Sequence, residues 1–121
     1  MVMKSEIKNF FGSEIDEPLE VFQPEITDNF GFLIDLEIGI DGKEGADLFY
    51  VMLCTPKWLV ENMKKEEILV GLHYLIVIEY NYENLYKKLN ELFCINGNDW
   101  DEIANKLGYI GQWEFRDYKS I

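Results

Sequence analysis

The chain has 121 residues, 48% of them hydrophobic, 15% aromatic and 28% charged, which is the balance of a folded domain rather than of a disordered tract. One core is expected from that length, burying roughly 65–70% of the unfolded surface without staples. Twenty-three Asp and Glu against eleven Lys and Arg leave a net charge of −12. That argues against nucleic acid and anionic membrane as partners and favours a basic one.

The first seventeen residues hold no apolar run of the kind a secretory leader needs, and acids follow at once. The most apolar windows, 49–53 and 75–78, are too short to span a bilayer. Cys54 and Cys94 stand alone; two such residues read as reduced, mostly buried thiols, neither a disulfide framework nor a metal cluster. A cytosolic protein is expected. Residues 1–29, with Glu14, Asp16, Glu17, Pro18 and Pro24, read as an irregular acidic lead-in with a short strand over 19–23.

From residue 30 the pattern sharpens. Phe30, Phe32, Ile34, Leu36, Ile38 and Ile40 alternate with Gly31, Leu33, Asp35, Glu37 and Gly39. A period of two predicts an antiparallel strand with one buried and one largely solvated face. Residues 41–45 are a turn, and 46–55 are apolar on both faces, as in a central strand. Thr55-Pro56 starts a helix, with a hydroxyl N-cap and proline at the first helical position, running to about Lys65 with Trp58, Leu59 and Met63 inward. After Gly71 comes a strand over 73–80. Asn81 caps a helix with Tyr82, Leu85, Tyr86, Leu89, Leu92 and Phe93 on its apolar side, and 96–98 break it. Asp99, with Glu102 three residues on, caps a third helix carrying Trp100, Ile103, Ala104 and Leu107, ended by Gly108. Residues 112–119 alternate again and predict a closing strand that turns Trp113 and Phe115 toward the helices. The fold class is α+β: one mostly antiparallel sheet with about three helices packed on one face, in a single domain over 1–121.

Catalytic signals are weak. The one histidine, His73, has no second His or Cys to complete a metal site, and no nucleophile can be set beside it. Gly39, Gly42 and Gly45 lack the Lys-Ser or Lys-Thr and the following helix of a phosphate loop. Asp41, Glu44 and Asp47 lack the spacing of a calcium loop. Trp58, Trp100 and Trp113 sit at positions suited to a core. No cofactor or metal is expected.

Charge distribution says more. Residues 9–56 hold eleven acids and one lysine, a net of −10. A solvated face would account for some of this, but concentrated repulsion disfavours the compact state, and such a surface can steer a cationic partner. Asp35, Glu37, Asp41, Glu44 and Asp47 are the candidate binding residues.

Four local patterns then combine: Cys54-Thr55-Pro56-Lys57-Trp58-Leu59 after Phe49; Gly71-Leu72-His73-Tyr74-Leu75-Ile76-Val77; Trp100-Asp101-Glu102-Ile103-Ala104-Asn105-Lys106-Leu107; and the closing Trp113-Glu114-Phe115-Arg116-Asp117-Tyr118. In this order and spacing, residues 30–118 resemble the eighth family of bacterial immunity proteins of polymorphic toxin systems. The resemblance implies a cytosolic antidote, without catalysis, that binds the toxic domain encoded beside it, often a nuclease delivered by contact or secretion. It gives Thr55, Pro56, Trp58, His73, Trp100, Trp113, Glu114, Phe115, Asp117 and Tyr118 structural roles. Residues 1–29 lie outside it. An acidic interaction module with no toxin partner, or a small hydrolase, are the alternative readings.

Overall fold

A computed structural model describes residues 2–115. Arg116, Asp117 and Tyr118 lie outside the described residues; of the closing strand expected over 112–119, only Gln112–Trp113 is strand, and residues 114 and 115 turn away from it. The chain order is β1 (Met3–Gly12), β2 (Gly31–Ile40), β3 (Asp47–Cys54), α1 (Pro56–Asn62), β4 (Tyr74–Ile76), α2 (Tyr82–Phe93), β5 (Asn96–Gly97), α3 (Trp100–Leu107) and β6 (Gln112–Trp113). The strands form one sheet in the order β4-β3-β2-β1-β5, with β6 alongside β3. All pairings are antiparallel except β3 with β4. The expected α+β architecture, three helices on a mostly antiparallel sheet, is the observed one.

The even positions of β2 face the core, as the alternation demands: Ile34, Leu36 and Ile38 are fully buried against Phe49, Val51 and Leu53 of β3. α2 contributes Leu85, Leu89 and Phe93 to this core, and α3 contributes Ile103, Ala104 and Leu107. Asn81 caps α2 by accepting from the Asn84 N–H at 3.0 Å, and Asp99 caps α3 by accepting from the Glu102 N–H at 2.9 Å.

Four expectations are corrected. Part of the irregular lead-in is strand β1, which pairs with β2 along most of its length. A bulge between Ile7 and Asn9 inserts Lys8 and shifts the phase of the alternation. Ser5 also fills a core position, donating to the Phe93 carbonyl at 2.6 Å and accepting from the Ile95 N–H at 2.8 Å. A polar core residue and a phase shift together hide the period of two. Residues 19–23 are not a strand, because Val21 and Phe22 N–H both turn back to the Pro18 carbonyl. Leu19 is nonetheless buried, under a Tyr80 hydroxyl that donates to its carbonyl at 2.6 Å; burial pushes the Tyr80 phenol up to about 12.

The strand expected over 73–80 pairs only through Tyr74–Ile76, since the Tyr80 N–H leaves the sheet to bond Thr27. The first helix stops at Asn62, short of Lys65, and buries no residue completely. Its Trp58 ring lies where a side chain on Gly31 would project, so the glycine makes room for the indole at the end of β2.

Candidate functional site

Register assigns the odd positions of β2 to the sheet face opposite α2 and α3. Across that face Asn9, Glu37 and Leu48 form one row; Phe11, Asp35, Tyr50 and Gln112 the next; Leu33, Met52 and Tyr74 a third. Cys54 and Ile76 continue it toward the β4 edge. None of the residues in the first three rows is buried. Leu33 is 41% exposed and Ile76 57% exposed. The face is therefore acidic on β2 and apolar toward β4; its first three rows stay at least partly open, while at the far end Cys54 is buried and the α1 Trp58 ring lies over Gly31.

The five candidate acids separate in three directions. Asp35 and Glu37 lie side by side on the open face, and Asp35 accepts a hydrogen bond from the Ser13 hydroxyl. Asp41 and Glu44 are exposed at the hairpin tip, which Lys8 braces by donating to the Ile40 and Lys43 carbonyls at 3.1 and 2.8 Å. Asp47 pairs with Ile38 and so shares the helix side of the sheet. One of its carboxylate oxygens accepts the indole N–H of both Trp100, at 2.8 Å, and Trp113, at 3.0 Å. It ties α3 and β6 to the end of β3.

The motif residues are largely spoken for within the fold. Thr55 is fully buried; its hydroxyl accepts from the Trp58 and Phe30 N–H groups at 3.3 and 3.2 Å, capping α1 ahead of Pro56. His73 adopts a left-handed backbone (φ 63°), and its Nε2 donates to the Gly108 carbonyl at 2.9 Å, joining β4 to the end of α3. Trp113 stacks on Phe49, with centroids 6.2 Å apart. Phe115 meets Trp113 edge-on but stays 44% exposed, less inward than the alternation implied. The Glu114 side chain is exposed; burial raises the Tyr50 phenol, and the negative charges of Glu114 and Asp35 add to it. The Cys54 thiol is raised by burial, which disfavours a nucleophilic thiolate. Among the described residues no group of His, Cys, Asp and Glu could hold a metal ion, and no helix is long and apolar enough to cross a membrane.

Residues 5–118 match the profile of the family described as Immunity protein 8. The chain belongs to that family. The match begins in β1, so the resemblance that started at residue 30 extends over most of the lead-in. No curated protein and no solved structure matches. Membership in the Immunity protein 8 family makes this chain an immunity protein, whose role is to bind a cognate toxin protein.

Sequence reasoning missed Tyr50, Met52 and Leu33 as site residues. The signal was present. Leu33 is apolar among solvated odd positions, and β3 is apolar on both faces. The helices α2 and α3 pack on the other face of the sheet, so this second apolar face is covered only at its end, where the α1 Trp58 ring meets Gly31.

Proposed function

We propose that this immunity protein neutralises a basic toxin domain, a nuclease of a contact-delivered or secreted polymorphic toxin, in the cytosol of the producing cell. It does so by binding and without catalysis. One observation carries the reading: Asp35 and Glu37 stand together on an uncovered sheet face, and among the described residues no Lys or Arg forms an ion pair with either. A nuclease must carry positive charge to hold phosphates, so an acidic surface complements it. The hairpin tip, with Asp41 and Glu44, extends the same negative field. The two residues best suited to nucleophilic or base chemistry support an inhibitor: Cys54 is buried and His73 is engaged by a backbone carbonyl.

The test uses the purified toxin domain encoded by the gene immediately upstream. Reversal of Asp35 and Glu37 to Lys should slow its association at low salt, with a smaller effect at high salt and little change in melting temperature. An unchanged association rate at low salt would remove these acids from the encounter surface. Wild-type protein should also show no turnover on a nuclease and hydrolase substrate panel.

A further inference from the structure

The acids alone leave unexplained why so much aliphatic and aromatic surface stays uncovered beside them. Leu33, Met52, Tyr74 and Ile76 occupy neighbouring register positions on β2, β3 and β4, on the same face as Asp35 and Glu37. Apolar side chains gathered on one sheet face, with charge along one border, have the anatomy of a protein interface: a centre that loses its water and a polar rim.

We infer that this open sheet face is the toxin-docking surface, with Leu33, Met52, Tyr74 and Ile76 as its desolvated centre and Asp35 and Glu37 as its charged border. The inference rests on the toxin-binding reading above and specifies its surface. The occupant is a basic protein patch: an apolar cluster on the toxin flanked by arginine or lysine. Tyr50 lies between the two halves, paired with Asp35 on β2 and with Gln112 of β6, two residues before Glu114. An arginine there can lay its guanidinium over the phenol ring and reach the Asp35 carboxylate. The same charge disfavours a second copy of this chain. Face-to-face self-association would bring two acidic borders together without counter-charge, in a chain of net charge −12.

The centre and the border should separate kinetically, because rim charges act on association and buried anchors on dissociation. Leu33→Ser with Ile76→Ser should weaken binding of the upstream-encoded toxin domain by roughly thirty-fold or more, mostly through faster dissociation, as expected of interface anchors. Both side chains are exposed in the free protein, so the melting temperature should hold. Tyr86→Ser, also at a half-exposed aromatic but on α2 in the helix layer, should leave both rates unchanged. Hydrogen exchange on the wild-type complex gives a second measure that needs no variant. New protection should appear at residues 74–76, whereas protection confined to α3 would overturn the inference. An unchanged dissociation rate in the double variant would overturn it too, while leaving toxin binding intact. A free-protein dimer that the double variant splits, with toxin binding unaffected, would assign the face to a second copy. Wild-type protein that fails to bind the toxin domain at all would overturn both this inference and the function it specifies.

Discussion

Asp47 shows how one carboxylate can organise a corner of the fold. Both indole N–H groups that reach it come from residues far along the chain, Trp100 and Trp113. In sequence it looks like another surface acid of the hairpin. In the structure it sits half-buried behind the sheet, answering two donors that would otherwise lose water without recompense. Asp47→Ala should therefore lower stability by about 2–4 kcal/mol, since hydrogen bonds to a charged group contribute about 1.5–3 kcal/mol and stranded donors add to the loss. Asp47→Asn, which keeps an acceptor oxygen, should lose less. Urea denaturation of the two variants checks the order. A neutral effect of Asp47→Ala would return the residue to the surface acids.

Among the elements, α3 is short and depends on its ends. Asp99 caps it, and the exposed Glu102 carboxylate accepts from the Asn98 N–H at 2.6 Å while Lys106 stands 3.4 Å away. These contacts, the Asn98 N–H foremost, hold the Glu102 carboxyl below its ordinary value of 4.5. A lowered folded-state value means the stabilising contribution is complete above the ordinary value. It is lost as pH falls through the lowered one. Replacement Asp99→Ala should cost about 1 kcal/mol, and Glu102→Gln should flatten the fall in stability below about pH 4.5. Thermal melts across an acid series would read both; a parallel acid limb in Glu102→Gln would deny the residue this role. β4 illustrates the opposite dependence. Its three residues pair only with β3, the Val77 N–H still reaches the Cys54 carbonyl, and by Tyr80 the backbone has left the sheet for Thr27.

At the scale of the molecule, a net charge of −12 acts in two directions. Self-repulsion weakens the folded state, and attraction speeds capture of a cationic partner. Salt should separate these. Raising ionic strength from ~0.01 to ~0.1 M shortens the screening length from about 30 to about 10 Å. Over that range the melting temperature of the free protein should rise while the rate of toxin association falls. If both moved together, the charge would not be serving the two roles assigned to it.

The sequence by itself determined the alternation of β2, the three helices and their caps, and the family, because each is written in local spacing: a period of two, a period near 3.6, a capping residue before an apolar run. It also located the excess of negative charge. Only the tertiary structure decided where those charges point. Asp35, Glu37 and Asp47 are neighbours in a list of acids, yet pairing register puts the first two on the open face and the third behind it against two indoles. β1 escaped notice because a bulge reset its alternation and Ser5 took a core position through long-range hydrogen bonds. The open apolar face was likewise beyond local reading. Whether the second face of β3 is covered depends on where the helices settle, and that is fixed by contacts between residues distant in the chain.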